Sequence, residues 1–178
     1  MSKLYVNEIV EANAGAGVAI PGHVIQMQFA EETGTGTASA ADAWATVLSV
    51  TITPKYANSK FIIQGHAMFG NPSSSGLEMG VRILSSASGA LNVGDASGNK
   101  LRATLGSQVP ADGSNPYYAW TPSMTTYDTP NTTSPVTYSI QCYGSESQNV
   151  YYNRVPATGD GTYNVRGSTT IMVMEIAQ

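Results

Sequence analysis

His23 and His66 are the only histidines of the chain, so a hydrolase triad would have to set one of them beside an activated serine. The G-x-S-x-G elbow that presents such a serine does not occur. Each histidine follows a glycine in a strand-like stretch, and neither belongs to an H-x-H or H-E-x-x-H metal pair. Both read as partly buried strand residues. Glycosidase chemistry needs two facing carboxylates, yet Glu78, Asp95, Asp112, Asp128, Glu146 and Asp160 all lie beside turn residues or at strand edges, and no pair stands out. The runs GTGTAS from Gly34 and GAGVAI from Gly15 lack the third glycine and following helix of a dinucleotide cradle. DASGN from Asp95 lacks the spaced acids and terminal glutamate of a calcium loop. These residues predict a protein that is not an enzyme and holds neither metal nor cofactor.

Aromatic side chains are the remaining functional signal. Tyr117, Tyr118 and Trp120 fall in the Pro-rich stretch 108–122, and Tyr151 and Tyr152 precede a loop around Pro156 and Gly159. Exposed Tyr and Trp rings suit sugar stacking or protein contact, because each joins a large apolar area to a polar tip. The competing reading packs the same rings in the core or between subunits.

Composition narrows the partners. Charged residues are 11% of the chain, against about a quarter in ordinary soluble domains, and Ser, Thr, Asn, Gln and Gly take their place. The 10 tyrosines and 2 tryptophans argue for a packed fold rather than disorder. At a formal net charge of -4, the scattered Lys55, Lys60, Arg82, Lys100, Arg102, Arg154 and Arg166 form no phosphate-tracking stripe, so nucleic acid is not expected. The single Cys142 excludes an intrachain disulfide, makes structural zinc implausible and reads as a small buried apolar residue. NTT at Asn131 reads as a turn. No leader pattern and no run near the roughly 18 apolar residues of a spanning helix is present, so membrane insertion is not expected.

The elements that must position these residues are short strands. Alternation predicts strands over 23–30, 44–53, 60–69, 78–84, 100–105, 124–128, 136–143, 148–153 and 169–176. In the first, Ile25, Met27 and Phe29 oppose Val24, Gln26 and Gln28. Residues 31–43 and 108–122 read as long loops, and 85–99 as a loop with one short strand. In the last strand Ile171, Val173 and Ile176 flank Met172 and Met174, and a terminus inside a strand must be held by a sheet or a neighbouring subunit. No segment sustains helical periodicity. The expected fold is all-β, an antiparallel β-sandwich or jelly roll over 23–178, preceded by an arm and Gly-rich linker over 1–22.

Four phrases in fixed order carry a resemblance: SKLYVNEI…GVAIPGHVIQ, then VTITPKYANSKFIIQG, then TYDTPNTTSPVTYSIQCYG, and finally STTIMVMEIAQ. Across nearly the whole chain they resemble tail-fibre-type virion structural proteins of marine tailed bacteriophages, of the cyanophage and pelagiphage kind. The resemblance implies a homotrimeric appendage on the virion surface, assembled with other virion proteins of the tail, fibre or capsid. An arm carrying Leu4, Tyr5, Val6 and Ile9 would dock it, and its loops would meet host-surface glycan or protein. About twenty residues precede the sandwich, a reach of roughly 70 Å at most, which suits a distal tip or short fibre rather than a long shaft. A capsid decoration trimer is the alternative, and a capsule-degrading enzyme a remote one.

Overall fold

The computed structural model describes residues 10, 20–71, 77–109, 118–157 and 159–178. The expected docking residues Leu4, Tyr5, Val6 and Ile9, and also Tyr117, lie outside the described residues. Thirteen strands are described: β1 (Val24–Glu32), β2 (Gly36–Ala38), β3 (Ala45–Ile52), β4 (Lys60–His66), β5 (Phe69–Gly70), β6 (Leu77–Ser85), β7 (Gly89–Leu91), β8 (Leu105–Val109), β9 (Ala119–Trp120), β10 (Ser123–Asp128), β11 (Val136–Gly144), β12 (Val150–Tyr152) and β13 (Thr169–Ile176).

Two sheets form the body, with orders β1-β13-β4-β10 and β3-β11-β6-β7, β8 pairing β6 beyond β7. β7 and β8 thus act as one edge strand interrupted by residues 92–104. Of the eight strands so counted, the first pairs the last, the second the seventh, the third the sixth and the fourth the fifth, every ladder antiparallel. That is a long hairpin rolled onto itself: the protein is an antiparallel jelly-roll sandwich.

Period-two alternation fills the space between the sheets. Phe61 and Ile63 of β4, Ile171 and Val173 of β13, and Met124 of β10 meet Val50, Ile52, Val81, Ile83, Tyr138, Ile140 and Cys142 from the other sheet, all buried. The Phe61 and Tyr138 rings tilt together at 6.1 Å between centroids. Burial pushes the Cys142 thiol up to about 12.

Two buried carboxylates are absorbed by turns. Glu175 Oε1 accepts from Lys55 N at 2.8 Å and Ser59 Oγ at 2.5 Å, fastening the β3–β4 turn, while Oε2 accepts from Gln26 Nε2. Asp128 Oδ2 accepts from Ser85 Oγ at 2.8 Å and Tyr138 Oη at 3.0 Å. Burial, followed by the neighbouring Asp128 charge, raises the Tyr138 phenol above its ordinary range. Asn131 sits in a turn, its Nδ2 donating to Thr129 O at 3.0 Å.

Several boundaries differ from the sequence reading. The stretch 31–43 is not one loop, since β1 runs on to Glu32 and β2 follows. The strand expected over 60–69 breaks after His66, where Ala67 N turns to donate to Pro122 O at 3.1 Å and the chain passes into another sheet as β5. Residues 100–105 form no strand until Leu105, because Arg102 Nε and Ala103 O are engaged by Gly94. The stretch 108–122 contains the end of β8 and all of β9. In β13 it is Glu175, not Ile176, that joins Ile171 and Val173 inside.

Candidate functional site

A third sheet, β2-β12-β5-β9, is assembled from the connections at one end of the sandwich. β2 lies between β1 and β3, β5 between β4 and β6, β9 between β8 and β10, and β12 between β11 and β13. The connections at this end thus carry a sheet of their own. Asn153, just past β12, locks it. Its side chain is fully buried, with Nδ2 donating to Glu32 O at 2.7 Å and Gly34 O at 2.8 Å while Oδ1 accepts from Thr169 Oγ1 at 2.8 Å. Its N–H donates to Met68 O at 2.8 Å, and its carbonyl accepts from Gly167 N at 3.0 Å. The residue holds φ of 58°, a left-handed conformation that Asn tolerates better than most side chains. Gly70 permits the close approach beside it, since a Cβ there would meet Arg154 O at 2.5 Å and Pro156 Cδ at 3.2 Å.

Register sorts the predicted aromatic residues into two faces. Tyr152 pairs Phe69, and Phe69 pairs Trp120, so these three share a face. Trp120 and Tyr152 pack against the core cluster, with Trp120 tilted over Phe69 at 6.4 Å and Tyr152 lying over Gly36. Tyr151 points the other way, and the Arg154 guanidinium covers its ring at 3.7 Å from the centroid. Tyr118 is 38% exposed at the mouth of β9. The rings are brought to one sheet but do not form one stacking surface.

What the sequence reading missed is a polar cavity of about 420 Å³ beside Tyr151, lined among others by Thr35, Gly36, Arg154, Asp160, Asn164 and Arg166. Scattered along the chain, the two arginines look unrelated; an antiparallel bridge sets Arg154 opposite Arg166.

The sandwich faces are unlike each other outside. The outer face of the β3-β11-β6 sheet carries a hydroxyl and amide ladder: Ser49 Oγ to Ser139 Oγ at 2.8 Å, Thr51 Oγ1 to Thr137 Oγ1 at 2.8 Å, and Arg82 Nε donating to Gln141 Oε1 at 2.9 Å. The outer face of the β1-β13-β4-β10 sheet carries a row Met27–Met174–Ile62–Tyr127 in register across all four strands. Met27 and Phe29 are 54% exposed and Tyr127 66%. At one edge of this face His66 Nδ1 and Ser123 Oγ stand 3.1 Å apart. Among the described residues no carboxylate is bonded to the imidazole of this cross-strand pair. Among the described residues no three His, Cys, Asp or Glu side chains gather to hold a metal, and no helix is long and apolar enough to cross a membrane.

No family model matches the chain, and no curated protein matches it. Solved structures do. A chain from the structure of infectious bursal disease virus Gx strain is 16% identical with a TM-score of 0.33, the match covering 96% of this chain and 42% of that one. The chain thus spans less than half the length of that structural neighbour. The jelly-roll assignment rests on strand order and register, not on this likeness.

Proposed function

We propose that the protein is a non-enzymatic virion structural subunit, an appendage module of the tail-fibre type. It works as a homotrimer, docks to other virion proteins through residues 1–22, and turns its loop end toward host-surface glycan or protein. The observation that carries this reading is the contrast between the two outer faces. Monomeric soluble proteins seldom expose contiguous apolar patches larger than roughly a few hundred Å², and the Met27–Met174–Ile62–Tyr127 row crosses the whole width of a sheet. Four strands at the usual spacing make that row about 14 Å wide. Covering that row with neighbouring subunits uses the broad face of the sandwich and none of the residues that line the loop-end cavity. Low charge and many short hydroxyl and amide side chains suit such an exposed particle component.

Cryo-electron microscopy of intact virions tests the reading. Density for this jelly roll at the tail or its fibres is expected. Repeated density at threefold positions over the capsid would make it a decoration protein, and absence from purified particles would end the virion assignment.

A further inference from the structure

The cavity beside Tyr151 has a lining with a definite chemical preference. Arg154 and Arg166 face each other across an isolated antiparallel bridge, and like charges placed directly opposite destabilise a ladder unless something neutralises them. Neither is ion-paired with a described carboxylate. The Arg154 guanidinium carbon lies 3.7 Å from the Tyr151 ring centroid, and a guanidinium stacked on an aromatic ring keeps its N–H edges for a planar acceptor.

Asn164 and Asp160 make the rest of the wall polar. Asn164 Nδ2 donates to Gly159 O, which fixes the amide orientation, and its buried Oδ1 has no donor among the described residues. Asp160 is the acidic side chain of the described lining and is likewise an acceptor. A bare anion would satisfy the arginines and bring no donor to Asp160. A dianionic phosphate would also face Asp160 on a chain of net charge -4.

We propose that this cavity binds a sugar acid, its carboxylate held between Arg154 and Arg166 and its hydroxyls donating toward Asp160. A volume of about 420 Å³ lies within the ordinary range of small-ligand sites and accommodates one or two saccharide rings. The proposal rests on the reading of the loop end as the host-facing surface, and gives that surface its ligand class: uronate-bearing glycan.

Calorimetric titration of the full chain with cellobiouronate, cellobiose and inorganic phosphate tests it, since the two sugars differ only in the carboxylate. Cellobiouronate is expected to bind at least ten times more tightly than either alternative. Arg154→Gln and Arg166→Gln should each weaken it at least tenfold with an unchanged thermal midpoint. If Arg154→Gln disturbs the fold, Arg166→Lys, which keeps the charge and loses the fork, should still show weakened binding. Equal binding of the two sugars, phosphate binding as tight as cellobiouronate, or unchanged binding in both variants would overturn the proposal. Adsorption of the protein to host cells is scored separately. Cellobiouronate binding without adsorption removes the receptor reading and keeps the site; adsorption without cellobiouronate binding does the reverse.

Discussion

Asn153 Oδ1 accepts the Thr169 hydroxyl at 2.8 Å, and through that bond the end of β12 is fixed to the start of β13. The same side chain reaches back to the carbonyls of Glu32 and Gly34, so one residue fastens three segments of the loop end. Asn153→Ala should destabilise the protein by about 2–4 kcal/mol, because buried partners lose their bonds and alanine is strained at this φ. Urea denaturation at pH 7 measures it. Asn153→Gly, which relieves the backbone, should lose less.

Gly70 gives a second stability test. A methyl group there collides with the Arg154 carbonyl, which is backbone and cannot swing aside. Gly70→Ala is expected to cost about 1–3 kcal/mol and to displace Arg154, so sugar-acid binding should fall along with the urea midpoint.

Tyr118 and Trp120 should respond differently to truncation. Trp120→Ala removes a ring packed on Phe69 and the core and should lower stability by about 2–4 kcal/mol. Tyr118→Ala should leave the thermal midpoint within the scatter of a surface substitution, about 0.5 kcal/mol. Thermal denaturation followed by circular dichroism separates the two. Equal losses would mean that Tyr118 is a packing residue as well.

Alkaline pH should weaken the fold through Cys142 and Tyr138. In the unfolded chain the thiol ionises near pH 8.5, whereas the folded protein holds that proton to about 12. Between these values the unfolded state binds fewer protons, so stability is fully present below about pH 8.5 and falls as pH rises, at most about 1.4 kcal/mol per pH unit for one group. Tyr138, raised by burial and Asp128, adds to the slope above about pH 10. Urea midpoints at pH 7, 9 and 10 should decline in that order, with a shallower first step in Cys142→Ala. A flat profile would contradict the burial of the thiol.

Strand existence was largely legible because alternation is a local property: β13 appears over the residues expected, and Cys142 is buried as VTYSIQCYG suggested. Which face is covered was not. β1 turns Met27 and Phe29 outward, and alternation cannot tell a solvent face from one that a partner covers. Alternation leaves Trp120, Tyr151 and Tyr152 open to either exposure or packing, and a single residue of register separates the core-facing row of Trp120 and Tyr152 from the outer one. The eight-strand wrap depends on pairings distant in sequence, which no window of the chain contains, and Arg154 meets Arg166 across an irregular loop that periodicity does not describe.

The assembly face is tested most directly by native mass spectrometry of the full chain beside Phe29→Glu. The account predicts a species of three times the 18.6 kDa chain mass that falls to monomer in the variant, with the fold retained. A wild-type protein that stays monomeric at micromolar concentration, or a trimer indifferent to a charge at Phe29, would contradict it.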